Sequence, residues 1–360
     1  MFKKTLAAVA VLGAFAGSAM AANVTLYGVV DNALNYTYLK AGSAESKDTY
    51  GMKSGAAAGN RWGLKGQEEL GNGLVAGFQL ESGFTSDDGR SAQDNRLFGR
   101  VASLYLKGGF GTLAVGHDGA LVSGLGSVSY IYQYAAFGTG WGSTVGNQGL
   151  YNFGVQDRAD NAVTYITPDF GGLKLYAQYS FQTAGQELPD SGDNTRYAAL
   201  GAQYMAGPFS TGLVVDNLFK PTDADDQFTV SYGASYDFGV AKVMGMAQYG
   251  DHMDAFGSNT DVLGKGVKLF KGDLKGWNLG LGATAPLAGG TFYGQVNYVA
   301  VKNDVTDKKL DGYGLGLGYG YPLSKRTTVF TYGGYGQFKD KAADVKTKIG
   351  EVGLGLTHKF

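Results

Sequence analysis

The sequence of 360 residues carries 30 basic and 31 acidic side chains, a balance without the basic excess that a nucleic-acid-binding protein needs. It contains no cysteine, so an exported form of the chain cannot depend on disulfide bonds. The 60 glycines, 24 tyrosines and 20 phenylalanines, beside only 6 prolines, are typical of long strands joined by tight turns.

Residues 1–21 predict a cleaved signal peptide. Lys3 and Lys4 precede an apolar run over residues 6–16, and a small-residue exit ends at Ala21. The run is shorter than the roughly 20 apolar residues that a membrane-spanning helix needs. We expect a mature chain of residues 22–360, in which the loss of both lysines leaves 28 basic against 31 acidic residues. If that chain enters a membrane it must do so as a closed barrel, because lipid offers no partners to backbone polar groups.

From residue 24 onward, apolar and polar side chains alternate with the two-residue period of β-strands. In the first such segment, Leu26 and Leu34 lie on one face, and Asp31 and Asn35 lie on the other. The pattern predicts strands over residues 24–38, 61–70, 74–85, 95–107, 112–117, 161–167, 173–181, 195–205, 209–219, 227–237, 240–249, 276–286, 291–301, 312–322, 327–337 and 349–360.

Seven short turns join these strands in pairs and one unpaired strand stands at each end, which gives sixteen strands. Longer polar connections separate the pairs, for example residues 41–57, 86–94, 251–275 and 339–346. Short turns at one rim and longer loops at the other are typical of an outer-membrane barrel, whose tilted strands need about 9–11 residues. A secreted β-sandwich is the alternative, but its strands are usually about 5–6 residues long. The prediction is therefore an all-β, antiparallel transmembrane barrel of sixteen strands.

In such a barrel the apolar face meets lipid and the polar face lines an aqueous lumen. The alternation directs four charged side chains inward, namely Arg61, Lys65, Asp31 and Lys174. It directs three apolar ones outward, namely Trp62, Leu64 and Leu26.

Residues 119–156 form the longest connection and contain no Asp, Glu, Lys or Arg. Connections beyond about 12–15 residues are uncommon unless they are functional or disordered. This one is rich in aromatic residues and poor in charge, the opposite of a disordered composition. Its aromatic residues are Tyr130, Tyr132, Tyr134, Phe137, Trp141, Tyr151 and Phe153. We expect it to fold into the lumen as a constriction loop.

Several motifs resemble the general trimeric porins of Gram-negative bacteria, in their beta-proteobacterial branch. They are VTLYGVVD at 24–31, RWGLKGQEELGNGL at 61–74, RADNAV at 158–163, PDFGGL at 168–173 and the terminal Phe360. The resemblance covers essentially the whole mature chain. It implies a passive channel for small hydrophilic solutes and ions that needs no cofactor and is not an enzyme.

The resemblance also implies partners and a site. The partners are two further copies in a homotrimer, outer-membrane lipid and lipopolysaccharide, and the barrel-assembly machinery, which reads Phe360. The site is a ladder of arginines opposite the third loop, and the matching positions are Arg61, either Arg96 or Arg100, and Arg158. Arg96 and Arg100 have the same parity in the predicted strand, so alternation does not choose between them.

One departure from the family pattern concerns acidic residues. Many relatives carry acids within the third loop, whereas here residues 135–138 have none and acids stand only at its edges, as Asp118 and Asp157. With Tyr134 and Phe137 on the loop side of the constriction, the arginines and Lys65 leave a net positive opening. Rings of basic side chains favour anions, so we predict an anion-preferring pore.

Three other functions would each use different residues. A substrate-specific channel would use Tyr130, Tyr132, Tyr134 and Trp141 to stack on sugars or aromatic solutes, and an adhesin would use its outer loops. An enzyme would need a base such as His117, but His117 and Asp118 are neighbours that face opposite sides of a strand.

The sequence also contains acidic groups and a glycine-rich stretch that superficially resemble metal and nucleotide sites. The acidic groups Asp251, Asp254 and Asp261, or Asp223, Asp225 and Asp226, lack the spacing of a calcium loop and are predicted as solvated charge, so no metal site is assigned. The glycine-rich residues 314–318 continue as a strand and not into a helix, which excludes a nucleotide-binding loop.

Overall fold

The computed structural model describes residues 24–146, 151–153, 156–221, 225–257 and 270–360. Almost all regular structure in these ranges is β-strand, because alternating apolar and polar residues fit a sheet with one face in lipid. The strands are β1 (Thr25–Ala41), β2 (Lys47–Ser54), β3 (Arg61–Gly71), β4 (Leu74–Gly83), β5 (Val101–Gly108), β6 (Gly111–Gly119), β7 (Arg158–Ile166), β8 (Leu173–Ser180), β9 (Arg196–Ala206), β10 (Phe209–Phe219), β11 (Gln227–Asp237), β12 (Lys242–Phe256), β13 (Phe270–Leu287), β14 (Gly290–Asn303), β15 (Lys309–Pro322), β16 (Thr327–Asp340) and β17 (Val345–Lys359).

Two single-turn 3₁₀ helices, Ile131–Tyr134 and Ser191–Asp193, are the helical elements of the described ranges. No helix in the described residues is long and apolar enough to cross a membrane. The predicted signal peptide over residues 1–21 lies outside the described residues.

The sheet closes on itself through antiparallel pairs. From β3 to β17 each strand pairs with the next, and β17 pairs with β1 from Val29↔Lys359 to Ala41↔Thr347. The other edge of β1 pairs with two strands in succession. Its residues Thr25–Val29 pair with β3, and its residues Asn32–Leu39 pair with β2, so β2 and β3 together occupy one position in the ring. The seventeen segments therefore make sixteen barrel positions, which confirms the predicted architecture.

The two faces of the sheet differ as predicted. Large apolar side chains such as Leu26, Leu200 and Leu354 are exposed on the outer face, as lipid requires. Polar side chains such as Gln178 and Gln295 are buried on the inner face. Glycine-rich turns of a few residues, such as Gly71-Asn72-Gly73, connect strands at one rim. Longer connections, such as the one between β8 and β9, join strands at the other rim.

Three predicted boundaries were wrong. Residues 41–57 were predicted as a connection, but they contain β2, which extends the hairpin with β1 beyond the barrel position of β3. The predicted strand over residues 95–107 begins only at Val101, because Gln93, Asp94 and Asn95 have φ values of 49°, 56° and 62° and form a turn. The predicted connection 251–275 is shorter, since β12 continues to Phe256 and β13 begins at Phe270.

Candidate functional site

A group of charged side chains lies on the inner face where β3, β4 and β5 meet. Glu81 of β4 is 6% exposed and contacts two guanidinium groups. Its Oε1 atom lies 2.6 Å from Arg100 Nε, and its Oε2 atom lies 3.5 Å from Arg61 Nε. The strand register makes this contact possible, because Glu81 is paired with Gly63, two residues after Arg61 in β3. The sequence predicted Arg61 and either Arg96 or Arg100, but not the carboxylate that contacts Arg61 and Arg100.

Arg158 and Lys65 extend this group. Arg158 begins β7 and donates from Nε to the carbonyl oxygen of Arg100 over 3.0 Å. Lys65 is exposed on β3, and its Nζ atom lies 5.3 Å from the centre of the Tyr27 ring. The Tyr27 hydroxyl donates to Glu81 over 3.0 Å. We name Arg61, Lys65, Glu81, Arg100 and Arg158 the arginine cluster; it holds four cationic side chains and one carboxylate.

Arg96 makes different contacts, so of the two arginines that the sequence left open only Arg100 joins the arginine cluster. The Arg96 guanidinium contacts both oxygens of Asp160 on β7, at 2.8 and 3.1 Å. The same carboxylate lies 2.5 Å from Nδ1 of His117, whose Nε2 atom lies 3.0 Å from the carbonyl oxygen of Gly99. Both imidazole nitrogens therefore face protein acceptors, and neither is directed at a solute as a catalytic base would be.

The connection between β6 and β7, residues 120–157, is named the third loop. Its first part lies against the inner face of β8 and of the strands that follow. The Leu121 N–H donates to Gln178 Oε1 over 3.0 Å, and the Tyr130 hydroxyl donates to the carbonyl oxygen of Leu213 over 2.7 Å. These bonds tie the beginning of the loop to β8 and β10.

The following part of the third loop is hydrogen-bonded to β14 and β17, two strands near the C-terminal end of the chain. The Ala136 N–H donates to Gln295 Oε1 of β14 over 2.8 Å. The N–H groups of Ser143 and Thr144 both donate to Glu351 Oε2 of β17, over 2.6 and 2.8 Å. Glu351 is buried, and its Oε2 atom accepts from two loop N–H groups that would otherwise be buried without partners. The loop is therefore bonded to the wall at several separated strands.

Glycines on the inner face make room for the third loop. Every second residue of β15 in this region is a glycine, and each lies beneath one loop side chain. The pairs are Gly314 with Tyr151, Gly316 with Val145, and Gly318 with Phe137. A Cβ atom at Gly316 would lie only 2.8 Å from Val145 Cγ1, closer than carbon atoms pack. We name Gly314, Gly316 and Gly318 the glycine track; all three lie within β15, as the strand prediction for this stretch required.

A space of about 540 Å³ separates the third loop from the arginine cluster. Gly124, Leu125, Gly126 and Thr139 line it from the loop, and none of them carries a charge. From the wall it is lined by Tyr27, Gly28, Val29, Arg61, Gln79, Glu81, Arg100, Lys359 and Phe360. A wall rich in cations thus faces a neutral stretch of loop.

The acids predicted at the edges of the loop have different surroundings. Asp118 is buried and accepts from the N–H groups of Gly119 and Ser127 over 2.7 and 2.8 Å, and the Ser127 hydroxyl also donates to it. Asp157 is exposed, and its carbonyl oxygen accepts from the Ala120 N–H over 3.2 Å. Asp118 therefore holds the base of the third loop, and the Asp118 and Asp157 carboxylates also lie close enough to interact electrostatically with the Arg158 guanidinium of the arginine cluster.

Tyr134 and Phe137 were predicted to line the constriction, but they are buried between the loop and the wall, at 1% and 3% exposure. Their rings leave water by packing over inner-face glycines. Trp141 likewise packs among other aromatic rings. Burial raises the pKa of the Tyr130 and Tyr132 hydroxyls, so both stay neutral. The Tyr130 hydroxyl donates to the wall, and the Tyr132 hydroxyl accepts from Asn152 Nδ2. The rings that the sequence predicted for stacking on sugars therefore pack against the wall or, as Tyr132 does with Gly124 and Asn152, within the third loop.

Comparison with known proteins identifies relatives over nearly the full length. A model described as Gram-negative porin matches residues 7–343. An outer membrane porin of Bordetella pertussis is 34% identical over 396 residues, covering 99% of this chain and all 100% of that protein. Outer membrane porin protein 32 of Delftia acidovorans is 34% identical over 348 residues, covering 95% of this chain and 91% of that protein.

Among solved structures, an anion-selective porin from Comamonas acidovorans aligns with a TM-score of 0.71 at 28% identity. The alignment covers 94% of this chain and 100% of that one. The alignment with this structure agrees with the closed sixteen-position barrel. The chain therefore belongs to the Gram-negative porin family, and it is an outer-membrane porin.

Proposed function

We propose that this porin is a passive, anion-preferring diffusion channel for small hydrophilic solutes, narrowest between the arginine cluster and the third loop. The observation that carries the proposal is the excess of cationic side chains in that cluster opposite uncharged loop residues. Basic side chains around a pore favour anions, and a guanidinium group stays charged across the physiological pH range. The similarity to a porin described as anion-selective adds support.

Conduction also requires that a bound ion leave again. Glu81 lies within hydrogen-bonding or ion-pairing distance of two of the arginines and offsets part of their charge. An anion that enters the passage meets guanidinium N–H groups already shared with a carboxylate, which weakens its binding. The cluster thus attracts anions without retaining them, and movement follows the concentration gradient with no cofactor and no catalytic step.

The third loop sets the width of this passage in the proposal. Its hydrogen bonds to Gln178, Gln295 and Glu351 hold it against the wall on the sides away from the arginine cluster. The remaining space of about 540 Å³ is where solutes pass. The width is therefore a property of a fixed loop, and small solutes are separated from large ones by size.

Planar-bilayer recording under a KCl gradient tests the function. Stepwise, ohmic insertions are expected, with a reversal potential of the sign that chloride permeability produces. A reversal potential of the opposite sign would overturn the anion preference while leaving the pore intact. Absence of conductance from correctly folded protein would overturn the open passage.

We further propose that the chain assembles as a homotrimer in contact with lipopolysaccharide and that the assembly machinery reads Phe360. Support comes from the resemblance of residues 24–31 and 61–74 to trimeric porins. Unheated protein is expected to migrate on SDS gels at the mass of a trimer and heated protein at that of one chain. A single band at the mass of one chain under mild extraction would contradict the trimer.

A further inference from the structure

Most acidic side chains at the long-loop rim near β12 and β13 are matched by lysines. Lys220 Nζ lies 2.8 Å from Asp254, and Lys302 Nζ lies 2.7 Å from Asp307. Asp251 has Lys275 at 3.4 Å. The charge of each of these acidic side chains is therefore compensated by a lysine, as is ordinary at an exposed surface.

Asp225 and Asp273 are different. Asp225 precedes β11 and Asp273 lies near the beginning of β13, and within the described residues their recorded ionic partner is His252 of β12. The Nδ1 atom of His252 lies 3.0 Å from Asp273 Oδ1 and 3.7 Å from Asp225 Oδ2. Two carboxylates thus share one imidazole, whereas Asp251, Asp254 and Asp307 each have an ammonium group.

The three donor atoms lie within 4.8 Å of one another, which is compatible with a single bound cation. Ligands on a tetrahedral zinc ion, with bonds of about 2.0–2.1 Å, are about 3.4 Å apart, and the two measured distances bracket that value. His252 reaches this place because it has a φ of 55° where the pairing of β12 with β13 shifts register. A bulge of this kind re-aims a side chain.

We propose that Asp225, His252 and Asp273 form a binding site for a zinc-class divalent cation at the outer rim. The donor set of one imidazole nitrogen and two carboxylate oxygens suits first-row transition metals, and three protein ligands leave a fourth position for water. Calcium is a poorer match, because it takes about 6–8 oxygen ligands. A bound ion would connect the segment before β11 to β12 and β13.

Isothermal titration of the folded, untagged porin with ZnCl₂ in lipopolysaccharide-free detergent tests the site. One zinc ion per chain is expected. Loss of even an outer-shell partner of a metal typically costs 10–100-fold in affinity, so we expect at least about tenfold weaker binding in His252→Ala and in Asp273→Asn. Bilayer conductance of each variant should match the wild type and shows that it is folded.

Two controls separate this site from general surface binding. His358→Ala removes a histidine at the opposite rim, and Asp254→Asn removes a lysine-paired acid beside the site. Both are expected to bind zinc like the wild type. The proposal is overturned if wild type binds no zinc, if His252→Ala binds unchanged, if His358→Ala loses the site, or if CaCl₂ competes as well as ZnCl₂.

Discussion

The two sides of the barrel wall that face the third loop are built differently. On the side of β3, β4 and β5, the wall presents long charged side chains, and about 540 Å³ of space remains in front of them. On the side of β14, β15 and β17, it presents glycines and buried polar side chains, and the loop lies directly on it. We name the side of β3, β4 and β5 the open wall, because space separates it from the loop. We name the side of β14, β15 and β17 the closed wall, because the loop packs directly on it.

The difference shows how a sequence decides where the passage lies. The glycine track removes side-chain volume, so Val145 and Phe137 can bury apolar surface against β15. Gln295 and Glu351 supply acceptors for loop N–H groups that would otherwise be buried without partners. Arginine side chains are large and carry no hydrogen-bond acceptor, so the loop does not pack against Arg61 and Arg100.

The largest expected effect comes from neutralising the open wall. Replacing Arg61, Arg100 and Arg158 together by glutamine removes three charges from the passage. A monovalent ion at about 8 Å in water interacts with each by about 0.5 kcal/mol, so chloride permeability relative to potassium should fall at least about tenfold. Reversal potentials in a KCl gradient measure this ratio.

The control for the triple change neutralises Arg90 and Arg326, which are exposed in connections outside the barrel wall. Their loss should leave the reversal potential near the wild-type value. An equal shift in this control would mean that selectivity reflects overall charge and not the arginine cluster.

The next effect comes from disturbing the closed wall. Gly316→Leu places a side chain where Val145 now sits, and overpacking of this kind costs about 1–3 kcal/mol. We expect the third loop to be displaced and the single-channel conductance and its noise to change. Gly333→Leu on the lipid side of β16, where the nearest atom to a Cβ is 3.7 Å away, is the matched control. Identical currents from both variants would contradict the role of the glycine track.

A smaller effect of opposite sign is expected at Glu81. Glu81→Gln removes the one carboxylate of the arginine cluster and should raise anion preference by about fivefold, because about 0.5 kcal/mol is gained by the anion and about 0.5 kcal/mol is lost by the cation. Glu69→Gln, exposed near the short turn after β3, should leave the reversal potential unchanged. A fall in anion preference in Glu81→Gln would show that Glu81 acts mainly by holding Arg61 and Arg100 in place.

The smallest effect on the pore is expected from Tyr134→Phe. The hydroxyl lost is 2.9 Å from Ser210 Oγ, and a hydrogen bond of this kind contributes about 0.5–1.5 kcal/mol. Thermal unfolding should begin at a slightly lower temperature, with selectivity and sugar permeation unchanged because the ring is buried. Tyr232→Phe on the exposed outer face is the control. Altered sugar permeation in Tyr134→Phe would instead support the hypothesis of a substrate-specific channel.

The barrel could be predicted from sequence because lipid imposes a period of two on every strand. Predicted residues 291–301 lie within β14 (Gly290–Asn303), and 312–322 lie within β15 (Lys309–Pro322). Arg61 was placed inward on the same ground. Alternation could not decide between Arg96 and Arg100, because the turn at Gln93–Asn95 interrupts it before β5 begins.

The site was harder to predict, because its contacts are set by register and not by local pattern. Glu81 is separated in sequence from Arg61 and Arg158, and only the pairing of strands brings them together. For Tyr134 and Phe137, composition alone does not distinguish a ring in the lumen from one against the wall. One signal was available, since glycines at alternate positions facing inward mark a place where another segment packs closely.

Closure of the ring by β1 and β17 has a consequence for how the barrel is made. One edge of β1 pairs with β2 and β3, which follow it in sequence, but its other edge finds a permanent partner only in the last strand, through the ladder from Val29↔Lys359 to Ala41↔Thr347. Until then two strand edges with unpaired backbone groups remain open, and such edges invite pairing with other chains. Contacts so distant in sequence also form slowly, because loop closure comes before their gain. The unfinished sheet is therefore the aggregation-prone species, and a factor that shields its two edges would raise the yield of folded porin.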